Sequence, residues 1–412
     1  MTTLAAQAVR FLRNPITVPI YLPTFFFGVA LGMMRPILPL YIADFDAGYA
    51  LIGLVLGAEA LGAMLADVPA GILLRRYSEK QVMLAGQALV MLGMLMLFLA
   101  PSIWMAFLFL FVFGTGRALF NVSRHMFLSE QFTLQQRGRA IAVFGGMVRM
   151  GYAIGPIIGG FVAARMGLRS PFLLVSLLTL FGIVLVILLL KETRRRGQDR
   201  SREEGLALVE TLRDNRPLLA RAGSGVLFGQ AIRAGRSVIV PLYAADVLGL
   251  GPEAIGLIVS VSWALDMLMF LPAGWVMDKR GRKHAIVPSF LAMATGIALI
   301  PLMQSLEGLL LATALIGLGN GFSSGSMMTL GSDLAPARTR SEFLGVWRLI
   351  GDCGATAAPF VIGFVAQQLA LQSAAVAISG MGLAAAGIFA FLVPETLRSL
   401  PREQVRATAS GS

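Results

Sequence analysis

Apolar runs of 20 to 27 residues alternate with short polar connections along almost the whole chain. Each run can cross a hydrocarbon core of about 30 Å at about 1.5 Å per residue, so the pattern reads as membrane-spanning helices. Twelve spans are predicted: 16–41, 51–74, 81–100, 102–126, 138–163, 171–190, 218–243, 253–277, 284–303, 306–330, 341–367 and 373–393. The longest polar stretch, 191–217, divides them into six and six. The expected organisation is an N-terminal six-helix bundle over 1–190, a linker over 191–217, and a C-terminal six-helix bundle with a short tail over 218–412.

The two halves repeat one another. Residues 39–44 read PLYIAD and residues 241–246 read PLYAAD. Ile52-Gly53-Leu54 and Pro69-Ala70-Gly71 recur 203 positions later as Ile255-Gly256-Leu257 and Pro272-Ala273-Gly274. The same offset carries Gly114 and Gly116 onto Gly317 and Gly319, Pro156 onto Pro359, and Glu192-Thr193 onto Glu395-Thr396. Parallel repeats of apolar helices are the build of secondary transporters, in which two bundles rock about a site between them.

Composition sharpens this picture. The chain is 57% hydrophobic and 14% charged, too apolar for a water-facing surface. Its net charge of +12 could suggest nucleic acid as a partner, but the basic residues follow topology instead. The termini and even-numbered loops hold 24 of the 34 Lys and Arg, the odd-numbered loops only Arg165 and Arg169. Both termini are therefore expected in the cytoplasm. An Arg-rich, Ala-rich bias suggests a bacterial gene, hence an inner-membrane location. The first run is of full spanning length, so no cleaved signal is expected. One cysteine and two distant histidines, His125 and His284, exclude disulfides and offer no metal site, and no catalytic or cofactor motif is present. An enzyme is not expected. Nor is a receptor, which would call for a soluble signalling domain.

Gly274, Asp278, Lys279, Gly281, Arg282 and Lys283 match the GxLxDRxGRK loop that follows helices 2 and 8 in the major facilitator superfamily, which the chain resembles over nearly its whole length. In the first half Gly71 and Leu73 remain, while Arg75, Ser78 and Glu79 replace the Asp, Gly and Arg. The resemblance implies an asymmetric inward gate in which Asp278 locks onto the N-terminus of the fifth helix, near Gly138. That helix carries Gly151, Gly155, Pro156, Gly159 and Gly160, similar to the gxxxGPxxGG signature of the exporter branch, notably drug:proton antiporters. Glycines four apart make a flat stripe, expected to let the fifth and eighth helices approach closely.

Arginines inside the spans are the candidate chemistry. Arg35, Arg117, Arg149, Arg233, Arg236 and Arg348 lie well inside, where each costs about 2.5–3.5 kcal/mol at a helix centre if it faces lipid. They must face a wet cavity or carboxylates. Arg117, Asn121 and Arg124 share one face of the fourth span, with Arg124 and His125 expected to snorkel to the interface. Asn320 and Ser324 continue the polar stripe in the second half, and Gln230, Arg233 and Arg236 lie together on the seventh span. Arg35 and Arg236, near-symmetric across the repeat, resemble the anion clamp of organophosphate:phosphate antiporters; structural arginines capping carbonyls are the other reading. Acids are scarcer. Asp266, Glu59 and Asp352 are the candidates for proton coupling, Asp352 also being placed to pair with Arg348 four residues earlier, and Asp67, near the cytoplasmic end, is expected to serve the gate. Asp266 and Arg149 both fall near the midplane and are expected to pair between the halves.

The expected fold is thus all-α, twelve transmembrane helices in two pseudo-symmetric bundles. The expected function is export of small organic molecules by proton antiport, with organic-anion transport as the alternative. The partners expected are a small-molecule substrate, protons and the lipid bilayer, with no cofactor, and the protein is expected to act as a monomer.

Overall fold

The computed structural model describes residues 17–131, 134–190, 213–323, 325–336 and 339–397. Among them there is no strand. The first half contributes α1 (Thr17–Ala43), α2 (Tyr49–Arg76), α3 (Glu79–Leu99), α4 (Ile103–Gln131), α5 (Leu134–Met166) and α6 (Ser170–Leu189). The second contributes α7 (Arg216–Leu242), α8 (Pro252–Lys279), α9 (Lys283–Leu299), α10 (Leu306–Phe322), α11 (Ser326–Leu334), α12 (Arg340–Gln368) and α13 (Leu371–Gly387). Helix ends differ from the predicted ones by a few residues, with one exception. The tenth predicted span is broken into α10 and α11, where Gly325 takes φ +77°, a conformation only glycine enters freely. Most of the linker, 191–212, lies outside the described residues.

Among the described residues, eleven spans are long and apolar enough to cross a membrane, α10 and α11 together counting as one. The twelfth, α7, has the length but carries Arg221, Arg233 and Arg236, which lower its hydropathy. The outer surface presents Leu271, Phe391, Val68 and Leu188, all more than 70% exposed, as expected where the neighbour is lipid.

Within each half, glycines set the helix spacing. A Cβ on Gly114 would strike the Glu59 carbonyl of α2, and one on its repeat mate Gly317 would strike the Ser262 carbonyl of α8. Gly116 and Gly319 do the same against Gly86 of α3 and Ser289 of α9. The repeated glycines therefore mark the same helix crossings in the two halves, where backbones touch because no side chain intervenes.

The halves meet through α5 against α8 and α2 against α12. At the side away from the termini, Tyr49 Oη donates to Asp246 Oδ2 at 3.0 Å and Arg165 Nε lies 3.5 Å from Glu253 Oε1. Toward the termini the same four helices part. A Cβ on Gly71, Gly146, Gly274 or Gly345 would meet nothing within 4 Å. The described residues are closed at one end and open at the end where Thr17 and Leu397 lie.

Candidate functional site

Asp266, on α8, has no solvent exposure. Its carboxylate is held from three directions. Arg149 Nε of α5, in the opposite half, lies 3.6 Å from Oδ1. Arg236 Nη2 of α7 lies 3.4 Å from Oδ2, and Asn320 Nδ2 of α10 donates to the same oxygen. The expected Arg149–Asp266 pair is thus formed, but within a larger cluster. Arg236, expected as half of a clamp, also holds this acid, and Asn320 is its neutral donor. A buried carboxylate needs such partners, since its desolvation would otherwise cost several kcal/mol.

Aromatic rings support the cations. Tyr152, one turn beyond Arg149 on α5, stacks on Trp263, one turn before Asp266 on α8, with ring centres 4.6 Å apart and planes at 21°. Arg236 lies 4.4 Å above the Trp263 ring and Arg35 lies 5.8 Å from the Tyr152 centre. Four side chains from α1, α5, α8 and α7 thus make one layer, guanidinium, ring, ring, guanidinium, across the boundary between the halves. Neither ring was singled out by sequence reasoning. The available signal was spacing: each lies three residues from a midplane charge and so shares its helix face. Arg35, Arg236, Trp263, Pro241, Val259 and Ile316 line a cavity beside this layer.

The other candidates have separate duties. Arg117 Nε lies 3.1 Å from Glu59 Oε1, a pair between α4 and α2 inside the first half. Arg124 does not snorkel. It is 5% exposed, donates to Asn121 Oδ1 at 2.7 Å, and is enclosed by Phe144, Phe120 and Phe27 at 4.2, 4.7 and 5.8 Å. Three aromatic faces replace the water that snorkelling would have supplied. His125 packs edge-on against Phe144. Arg233 donates to the Ser323 carbonyl at 3.2 Å and to its hydroxyl, capping α10 where the chain breaks and its last carbonyls lose their helical partners. Ser324 lies outside the described residues. Gln230 packs where a Cβ on Gly351 of α12 would touch it. Asp352 pairs with Arg348 along α12 at 3.7 Å, and Arg348 also reaches Asp67 of α2 at 3.6 Å. That further bridge between the halves was not foreseen.

In the gating loop, Gly281 turns the chain at φ +112° and Arg282 is the hub. Arg282 Nη1 donates to the Met277 carbonyl at 2.7 Å, and Nε lies 3.0 Å from Asp333 Oδ2. Glu395 accepts from the backbone N–H of Arg282 at 2.9 Å and of Lys283 at 3.0 Å, so the second copy of the repeated Glu-Thr pair closes this loop. Asp278 is 79% exposed and lies 3.3 Å from Arg282. The α5 side chains near Gly138, its expected partner, are outside the described residues. Lys279 covers the Trp275 ring at 5.0 Å, and Gly274 has open space beside it. In the first half Ser78 replaces the positive-φ glycine by capping α3, with Gln81 bonding back to it.

The glycine stripe of α5 faces a different helix from the one expected. Gly151, Gly155 and Gly159 lie against Gly28, Gly32 and Met33 of α1, within the first half. Only Gly160 turns to α8. The stripe at spacing four occupies one face, and the α8 contact is made from the neighbouring one. Pro156 leaves a gap in backbone bonding nearby, and Ile157 N donates to Ser260 Oγ of α8 at 3.1 Å.

A sequence model described as Major Facilitator Superfamily matches residues 20–235 and 222–410. Multidrug resistance protein 2 of Bacillus subtilis is 22% identical, over 68% of this chain and 71% of the relative. The class B tetracycline resistance protein of Escherichia coli is 23% identical, over 71% of this chain and 74% of the relative. An uncharacterised MFS-type transporter of Methanocaldococcus jannaschii is 22% identical over 86% of this chain and 92% of its own. Among solved structures, the nucleoside transporter NupG superposes with a TM-score of 0.78 at 16% identity, covering 92% of this chain and 99% of that one. A bacterial homologue of the lysosomal transporter Spinster, inward-facing and occupied, gives 0.72 at 15% identity, covering 92% and 96%.

Proposed function

The chain belongs to the major facilitator superfamily and is a membrane transporter of that type; from this premise we propose that it exports small organic molecules, drug-like compounds or metabolites, by proton antiport through alternating access. The observation that carries this reading is Asp266, wholly buried and paired with Arg149 from the other half. With the carboxylate charged, the pair bridges α5 and α8. Protonation removes that attraction and frees the halves to part, and loss of the proton restores it. One group can therefore link proton movement to rocking. Bundles over 1–190 and 218–412 are the rocking units and 191–217 is their tether. The multidrug and tetracycline resistance relatives favour export. The setting we assign is the bacterial inner membrane, with both termini cytoplasmic and the chain acting as a monomer.

A second reading is organic-anion transport, by import or exchange. It is favoured by the crowding of Arg35, Arg149, Arg233 and Arg236 around the single carboxylate of Asp266. Uptake of a labelled panel of cationic, neutral and anionic compounds into inverted vesicles separates the two. Accumulation driven by an acid interior supports the antiport reading. Gradient-independent exchange restricted to anions supports the second.

A further inference from the structure

We propose that Arg75, at the end of α2, and Glu342, at the start of α12, form an ion pair between the halves when the open end closes. The pair is a latch whose charges are the reverse of those on the α5–α8 side. It requires that the two bundles rock, and nothing about what is carried or what drives it.

α2 and α12 run antiparallel and meet in one continuous register. A Cβ on Gly53 would come within 2.9 Å of the Gly363 Cα, and one on Gly57 would strike the Phe360 ring. Met64 Sδ lies 3.9 Å from Cys353 Sγ, and Arg348 Nη2 lies 3.6 Å from Asp67 Oδ2. Each advance along α2 is matched by a nearly equal retreat along α12, in steps that keep one face of each helix toward the other. Eleven residues on from Met64 and eleven back from Cys353 stand Arg75 and Glu342, and eighteen from Gly57 and Phe360 give the same two. Before that point the helices part, since a Cβ on Gly71 or on Gly345 would meet nothing within 4 Å.

Each charge suits its own helix end. Arg75 lies in the last turn of α2 and Glu342 in the first turn of α12, where the helix dipole favours a cation and an anion respectively. The repeat adds an independent argument. The offset of 203 carries Arg75 onto Asp278 and Arg139 onto Glu342, so both signs are exchanged between the α2–α12 side and the α8–α5 side. A change at position 75 alone would set a cation against the positive end of α12. The matched change on the facing helix turns repulsion into attraction. Arg340, the other cation at the start of α12, is engaged by α11, where it donates to the Ser332 carbonyl at 3.4 Å. The first-half gate thus keeps a charge lock, with its polarity reversed.

The test uses the full-length Cys353→Ser protein in lipid nanodiscs, without substrate or gradient. Spin labels at positions 77 and 335, at the ends of α2 and α11, report open and closed populations as long and short distances. The closed-to-open ratio should fall about threefold in Arg75→Gln and in Glu342→Gln, and no further in the double variant, because either change alone removes the whole pair. Arg75→Glu should lower it more, since two acids then face each other. Arg76→Gln should leave it unchanged. A double variant whose loss is the product of the single losses shows two residues acting apart and overturns the pair. Unchanged single variants overturn it too, as does an unmutated protein with no short-distance population, an outcome that needs no charge variant to fold. With no gradient present, failure here leaves proton antiport standing, and failure of gradient-driven accumulation in vesicles leaves the latch standing.

Discussion

Gly256 of α8 lies against Gly160 of α5 so closely that a Cβ on Gly256 would come within 2.3 Å of the Pro156 carbonyl oxygen and 3.2 Å of the Gly160 Cα. The repeat makes the same contact again on the other side of the molecule, where a Cβ on Gly53 of α2 would come within 2.3 Å of the Pro359 carbonyl oxygen and 2.9 Å of the Gly363 Cα of α12. Each glycine and each proline is the mate of its counterpart at an offset of 203. These repeated glycines and prolines are thus among the residues that let the halves close.

It follows that Gly53→Leu and Gly256→Leu should each prevent closure of the end away from the termini. Transport should fall by about tenfold or more, because a side chain cannot be accommodated between two backbones. Gly71→Ala, with open space beside it, should transport normally. Distances between spin labels at positions 48 and 251 would lengthen in the Leu variants. Unchanged distances would mean that the glycines are not what sets the closure.

Orientation rests on the 24-to-2 distribution of basic residues, since geometry alone does not say which end of the bundles faces the cytoplasm. Reporter fusions after Gln198 and after Gly48 should report cytoplasm and periplasm respectively. A periplasmic signal after Gln198 would reverse the assignment.

The gating loop yields a pH prediction. Partial burial pushes the Glu395 carboxyl up, but backbone N–H donors from Leu397, Arg282 and Lys283, with His284 nearby, outweigh it and hold it below the ordinary glutamate range. A carboxyl lowered by folding stabilises above its unfolded pKa, and that contribution is lost as pH falls through the lower folded value. Thermal stability in detergent should therefore decline in acid, and Glu395→Gln should flatten that decline. Arg282→Ala should destabilise more than Asp278→Asn, because Arg282 is 8% exposed and bonded to Asp333 and Met277, whereas Asp278 is 79% exposed. Comparable losses would remove Arg282 from the hub.

The spans and the repeat were legible because a bilayer imposes length and apolarity on every crossing. The Arg149–Asp266 pair was legible from depth. What charge alone could not reveal is which partner each arginine takes. Arg124 sits among Phe27, Phe120 and Phe144, and those residues come from α1, α4 and α5, so no single-helix periodicity exposes the cage. Arg233 caps a break whose cause, Gly325, looks like any other membrane glycine in sequence. Arg348 reads as the i,i+4 partner of Asp352, and its link to Asp67 depends on packing between the halves.

Asp266 gives the sharpest test of coupling. Two arginines and an asparagine hold its carboxylate, but only Arg149 comes from the opposite half. If the carboxylate carries the proton, Asp266→Asn fixes the neutral form, so the Arg149 bridge is permanently weakened and the proton step is deleted, while the remaining contacts with Arg236 and Asn320 keep α7, α8 and α10 together. Such a protein should still exchange labelled for unlabelled substrate at equilibrium. It should lose pH-driven accumulation, by about tenfold or more if no other acid substitutes. Arg149→Gln should behave differently, since it removes the bridge but leaves an acid to load, and should retain some proton-dependent transport at altered pH. A permanent salt bridge predicts instead that both variants lose exchange and accumulation alike through instability. Proton-driven accumulation by a well-folded Asp266→Asn protein would reject the coupling role, and the search would then move to Glu59, the partly buried acid of α2 paired with Arg117.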